Sequence, residues 1–400
     1  MPSFDWIVVG NGLTGAALAY ELARRGLSVL LLDRSATPPS ATRYSYGGVP
    51  YWFGTTPLTQ QLCHETLDRY QALPTETGQD IEWRSLKLLL TVAPTVDPTQ
   101  VAAAYGRAET PPTPISVAAA IALEPQLNPE AIGGALVADH GHVNPTALVA
   151  AYNQGFQQLG GQRILAPVTD VVRVGDRVTG VLTPTQAYAA GQVAIAAGGY
   201  SRDLLQSLGL AVPVYFTYAE ILETPPLAPQ FQHLIMPANL TRSGLEKRAS
   251  QPDQDARWDQ DTPQELMPPI LDVGLIQFLD GTCRIGQISR IQTTPTPTVD
   301  AATSEATLRQ GIEGLIPALK GVPGQWHGCP VAFSRDGLPL AGPVPGVSGL
   351  HLFSGFGGPF ALVPALAVHF AAWAQGGNVE AMAAVDPARF MAPATGTQPG

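Results

Sequence analysis

Cysteine is scarce in this chain. Cys63, Cys283 and Cys329 are its three cysteines in 400 residues, and no two of them form a CxxC pair. That argues against a disulfide framework and a zinc site, and the usage suits a reducing cytoplasm. Charge is thin as well, at 14% of residues, with a net balance of −10. An acidic surplus argues against nucleic acid as a partner and against a basic membrane-binding face. No apolar run reaches the roughly 18–20 residues that span a bilayer. A strand pattern begins by Phe4, which leaves no room for a signal peptide. A repeat of fixed period, a Ser/His/Asp constellation and a paired-carboxylate motif are also missing.

Glycine and proline, by contrast, are plentiful: 41 and 38, in a chain that is 45% apolar. This composition fits a loop-rich globular protein large enough for two domains. Two glycine clusters stand out, one near each end. The first lies in "FDWIVVGNGLTGAALAYELARRGLSVLLLD". A short apolar strand leads into Gly10, Gly12 and Gly15. An amphipathic helix ends at Gly26, and a second apolar strand ends at Asp33. This is a βαβ unit with a dinucleotide fingerprint. Gly10 permits the tight turn, Gly12 lets backbone amides approach a pyrophosphate, and Gly15 lets the helix close on the sheet. Asp33 can accept hydrogen bonds from ribose hydroxyls and disfavours a 2′-phosphate. The motif alone does not separate NAD from FAD.

Further along, "TPLTQQLCHETLDRYQAL" predicts a helix with Leu58, Leu62, Tyr70 and Leu73 on one face; Cys63 and His64 on it read as a core and surface pair. "HVNPTALVAAYNQGFQQLGG" predicts another, capped by Asn144, with Leu148, Tyr152, Phe156 and Leu159 as its buried stripe. A hairpin turns near Gly175–Asp176, and "QVAIAAGGYSRDLL" is a strand turning at Gly198–Gly199 into a helix. From about Val212 to Gly324 apolar alternation predicts a mostly antiparallel region, interrupted by a polar, proline-rich stretch with no clear pattern. The second glycine cluster follows, in "LFSGFGGPFALVPALA". The tail "MAPATGTQPG", 391–400, reads as disordered.

Taken in order, "VVGNGLTGAALAYELARRGLSVLLLDR", "HGHVNPTALVAAY", "VTDVVRVGDRVTGVLT", "VAIAAGGYSRDLL", "DGTCRIG" and "SRDGLPLAGPVPGVSGLHLFSGFGG" resemble the D-amino-acid oxidase superfamily, on its glycine oxidase and monomeric sarcosine oxidase branch. The resemblance implies an α/β fold: a Rossmann-like FAD-binding domain (1–85, 141–212 and 325–390) interleaved with a mostly antiparallel α+β substrate domain (86–140 and 213–324). It implies FAD. It also implies oxidation of a C–N bond in an amine or amino acid by hydride transfer to the flavin, with hydrolysis of the imine and O2 as acceptor. A dehydrogenase that passes electrons to a quinone or carrier protein, and a silent flavoprotein acting in binding or assembly, stay open as alternatives.

The cofactor contacts it implies are Gly10, Gly12, Leu13, Thr14, Gly15, Asp33 and Arg34 at the first turn. Arg43, Tyr44, Ser45, Tyr46, Gly47 and Gly48 pass near the flavin. Val168, Ala197 and Gly198 lie toward the adenosine. Gly355, Phe356, Gly357, Gly358, Pro359 and Phe360 lie by the flavin pyrimidine, where a helix N-terminus can stabilise negative charge. Arg284 falls where sarcosine oxidase-like relatives carry a lysine near N5. Cys329, seven residues before Asp336, falls where such relatives bond the flavin covalently; the other reading is a small buried hydrophobe. Both carboxylate anchors of the relatives are missing: Val331 stands at one place, and "GGPFALVP" holds no basic residue at the other. Arg290, Arg284 or Arg43 could substitute; the alternative is a substrate that is not a simple amino acid. Tyr44, Tyr46, Tyr51, Trp52, Tyr215 and Tyr218 could line an aromatic pocket for a bulkier or cationic amine, with Arg284, Tyr218 and Arg290 as the catalytic candidates. His327 reads as structural.

Overall fold

The apolar run at the start forms the strand Ser3–Val9, central in a sheet whose spatial order is 340–343, 350–354, 187–195, 3–9, 29–33, 162–165. In this computed structural model, residues 3–36, 40–228, 230–260, 262–377 and 380–390 are described, so the tail 391–400 lies outside. Strands 350–354, 187–195, 3–9, 29–33 and 162–165 run parallel, with Val9 opposite both Ile195 and Leu32. Alternate residues enter different cores. Trp6, Val8 and Leu31 pack under helices on one face, and Ile7, Val9, Leu30 and Leu32 pack on the other. Burial on both faces is why these strands read as continuous apolar runs.

The helices over the first face are Leu13–Arg24, Pro57–Thr77, Pro145–Gln158 and Pro359–Ala374. Helix 57–77 begins with Pro57 after a Thr56–Thr59 capping box and ends at Gly78. Asn144 accepts the amides of Thr146 and Ala147 to start the next one. Leu148, Tyr152 and Phe156 are buried as expected, but Leu159 is 49% exposed. The helix stops at Gln158, so Leu159 is its C-cap and leaves the stripe.

A second sheet takes the order 325–334, 214–223, 283–292, 265–277, 234–237, 84–92, 134–142, 48–49. Its pairings are antiparallel except 234–237 with 84–92. The proline-rich stretch without a sequence pattern supplies the strand Leu234–Pro237 and the helix Thr241–Ala249. Sheet membership also differs from the sequence division at two places. Gly48–Val49 and Gln325–Ser334 belong to this second sheet, because they pair with 134–142 and with 214–223. Their partners are too distant in sequence for local pattern to reveal them. The two layers meet tightly at Gly199, where a methyl would lie 2.5 Å from the Pro330 side chain.

The carboxyl ends of strands 3–9, 29–33, 187–195 and 350–354 share one edge. The segments that follow them, Gly10–Gly12, Asp33–Arg34, Ala196–Gly198 and Gly355–Gly358, therefore lie side by side. Ser354 ties two of them together, donating to the Gly198 carbonyl at 3.3 Å and accepting from Ser201 at 3.2 Å. In open α/β sheets this edge is where ligands bind.

Candidate active site

The first turn is built from backbone contact. Gly10 has φ +107°, and a Cβ there would lie 2.5 Å from the Ala196 carbonyl oxygen. A Cβ on Gly15 would overlap the Gly10 carbonyl. Helix 13–24 starts at Gly12 without a side-chain cap, which leaves backbone amides for a ligand. Asp33 steadies the loop by accepting the Asn11 amide at 2.6 Å and the Ser35 amide at 3.0 Å. A carboxylate offers about four lone-pair sites, so further acceptance by ribose hydroxyls is open to it.

A cleft of ≈ 210 Å³ opens over this turn. It is lined by Gly10, Gly12, Thr14, Asp33, Arg34, Val168, Ala197 and Gly198 of the expected set. Leu13 and Gly15 contribute from beneath: the Leu13 side chain is buried, and its amide donates to the Thr42 hydroxyl at 3.0 Å. Thr14 also donates to the Ala196 carbonyl at 3.1 Å. Thr42, Tyr200 and Pro330 line the cleft too, and sequence reasoning missed them. Thr42 adjoins the expected Arg43 and Tyr200 lies two residues after the expected Gly198, which is the signal that could have found them. Pro330 comes from a strand of the other sheet and carried none.

This donor set suits the ADP half of a dinucleotide: free amides for phosphate, an acid for ribose, and apolar walls from Val9, Leu32 and Leu204. The segment 40–53 extends the site. Ser40 and Thr42 line the cleft, while the Phe53 ring abuts Gly358, where a Cβ would lie 2.8 Å from it. One stretch of backbone thus joins the two glycine turns. The second turn has Gly355 and Gly358 at φ +73° and +72°, a buried Phe356, and Pro359 opening the helix. The Phe360 carbonyl accepts from the Tyr70 hydroxyl at 2.7 Å. Residues 355–360 are not among those lining the cleft.

Arg284 meets the same segment. Its buried guanidinium donates to the Ser45 carbonyl and to Glu223 at 3.1 Å, and lies 4.4 Å from the Phe278 ring centre. Tyr44 stacks on His327 at 4.3 Å with 13° between planes, and burial lowers the pKa of that histidine. The Tyr46 hydroxyl is buried without a partner. Gly47 passes so close to the Val143 carbonyl that a Cβ would overlap it, and at Gly48 a Cβ would lie 2.7 Å from His140 Nε2.

The three catalytic candidates do not converge. Tyr218 and Arg290 are cross-strand partners and share a face with Glu220, the face that Leu222 and Ile288 bury under the helix Ala301–Leu315. Arg284 pairs with Glu223 on the opposite face. Arg290 is engaged by Glu220 at 2.6 Å and Glu265 at 3.4 Å. Burial pushes the Tyr218 phenol up to about 12. Tyr215 lies apart from the site, donating to Asp255 at 2.6 Å and packing on Trp258. Cys329 is buried, and burial holds its thiol up at about 12. Its neighbour Pro330, not Cys329, lines the cleft. His64 pairs with Glu109 at 3.1 Å. Among the described residues no helix is long and apolar enough to cross a membrane.

A family model described as FAD dependent oxidoreductase (DAO) matches residues 5–373, and the chain belongs to that family. FAD is its cofactor. The chain is 27% identical over 375 residues to glycine oxidase of Pseudomonas aeruginosa, covering 87% of this chain and 88% of that protein. It is 32% identical over 216 residues to 4-methylaminobutanoate oxidase (formaldehyde-forming) of Paenarthrobacter nicotinovorans, covering 52% of this chain and 26% of that much longer protein. The crystal structure of glycine oxidase from Geobacillus kaustophilus superposes with a TM-score of 0.77 at 19% identity, covering 98% of this chain and all of that one.

Proposed function

We propose that the protein oxidises the C–N bond of an amine or amino acid, with O2 as terminal acceptor. The balanced reaction consumes the amine, O2 and water and yields a carbonyl compound, the released amine and H2O2. The observation that carries this reading is the segment 40–53, which runs from the cleft to the second glycine turn, with Arg284 held against its Ser45 carbonyl and His327 stacked on its Tyr44. The names of the relatives support the substrate class. FAD supplies the two-electron acceptor.

The first turn, Asp33 and Val168 hold the adenosine diphosphate half. Residues 43–48 and 355–360 hold the flavin half, with the start of helix 359–374 favouring negative charge beside it. Arg284, fixed by Glu223 and the Ser45 carbonyl, keeps a cation against this loop for the oxygen reaction. The carboxylate anchor is Arg43. Arg284 and Arg290 are already engaged by acids, whereas Arg43 makes no ion pair among the described residues; its guanidinium lies 5.7 Å from the Tyr44 ring centre. Cys329 stays a neutral buried thiol, and the cofactor is held without a covalent bond.

The test starts from holoprotein under anaerobic conditions. Amines and amino acids are screened for bleaching of the flavin band at about 450 nm. A substrate bleaches it, and mixing with O2 restores the colour quickly with stoichiometric peroxide. Slow restoration points to a carrier-linked dehydrogenase, and no bleaching by any amine overturns the reading. Arg43→Met should raise KM for a carboxylate-bearing substrate about 10- to 100-fold, the loss expected of a charged hydrogen bond, measured on protein reconstituted with saturating FAD. Acid precipitation should leave the flavin in the supernatant; colour in the pellet would mean a bond to Cys329.

A further inference from the structure

We propose that Arg34 and Tyr200 form a cation–π clasp over the adenosine end of the cleft, and that this clasp sets how long FAD stays bound. Both residues line the cleft, and the Arg34 guanidinium carbon lies 3.9 Å from the Tyr200 ring centre. Their origins give the contact its meaning. Arg34 follows the strand 29–33, and Tyr200 ends the short turn after the strand 187–195. Those two strands are not neighbours; strand 3–9 lies between them. The pair therefore arches over the Gly10–Gly12 turn that strand 3–9 delivers.

Tyr200 is held from behind. It ends a turn whose Gly198 carbonyl is tied to Ser354 and whose Gly199 is pressed against Pro330. Arg34 makes no ion pair among the described residues, so its charge is free to face the ring. A guanidinium over a phenol ring at this distance is attracted by the ring quadrupole. At an exposed site such contacts correspond to roughly a two- to fivefold change in an equilibrium constant. The pair is a contact between protein groups, so the ligand must part it both to enter and to leave, and the effect falls on both rates with the affinity unchanged.

The experiment measures FAD release from holoprotein by the recovery of flavin fluorescence after dilution, and rebinding by its quenching. Arg34→Gln and Tyr200→Ala should each speed both release and association about two- to fivefold, with the dissociation constant unchanged. The double variant should release no faster than either single one, and Tyr200→Phe should release like the parent because it keeps the ring. Equilibrium competition by AMP and by FMN should not change. Additive single effects, or a Tyr200→Phe protein as fast as Tyr200→Ala, would overturn the clasp. So would release accelerating with association unchanged, which describes a lost contact to FAD itself. Arg34 is exposed, so Arg34→Gln keeps the test valid should Tyr200→Ala fold poorly.

Discussion

The two glycine turns lie at the same sheet edge but are made differently. At the first, glycine is required because backbone meets backbone: Gly15 against the Gly10 carbonyl, and Gly10 against the Ala196 carbonyl. At the second, the requirement is mainly the left-handed φ of Gly355 and Gly358, and the nearest obstacle to a methyl at Gly358 is one side chain, Phe53. A backbone clash has no soft partner to yield. A side-chain clash has one. The first turn should therefore fail abruptly under substitution and the second by degrees.

Gly15→Ala gives the largest expected effect. Its methyl has no space, so we expect more than about 3 kcal/mol of destabilisation and no FAD-loaded protein on purification. A stable yellow protein would break the contrast. Acid should separate the turns next. His351 lies on strand 350–354, which leads into the second turn, and burial holds its pKa down at about 4. Between that value and the unfolded value near 6.5, the unfolded chain binds the proton and the native chain does not, so stability falls as pH falls. From pH 6.5 to 5 the loss is about 2 kcal/mol from this group, read as a falling Tm. His140, lowered to about 3, adds in the same direction. Hydrogen exchange should rise in residues 350–362 before residues 6–20, and His351→Gln should flatten the profile.

Gly358→Ala should cost about 1–2 kcal/mol through its positive φ. Adding Phe53→Leu should recover any excess over that figure, which sharpens the assignment of the clash. Thr42→Val is the smallest change. It removes the acceptor of the Leu13 amide, for which about 1 kcal/mol and a several-fold weaker FAD affinity are expected by titration of the apoprotein.

Local pattern carried the first turn almost whole. Strand, glycine spacing, helix and Asp33 all lie within one short stretch, and each is governed by neighbours in sequence. The helices 57–77 and 145–158 were legible for the same reason, down to the Asn144 cap. What escaped was set by distant partners. The strand Gln325–Ser334 is placed by ten cross-strand pairs with residues 214–223. Pro330 enters the cleft only through that pairing. Tyr215 looked like a pocket aromatic, but Asp255 and Arg335, far along the chain, claim its hydroxyl. The separation of Arg284 from Tyr218 and Arg290 needed strand register, where a shift of one residue reverses a face.

The Gly199–Pro330 contact joins the layers with no room for a methyl. A joint that close resists shear, so the nucleotide-binding and antiparallel halves should swing together as one block. Molecules entering or leaving would then travel through surface loops instead of an opening hinge. Spin labels placed on either half should keep their spacing when the flavin is reduced, and a widening of several ångströms would contradict this.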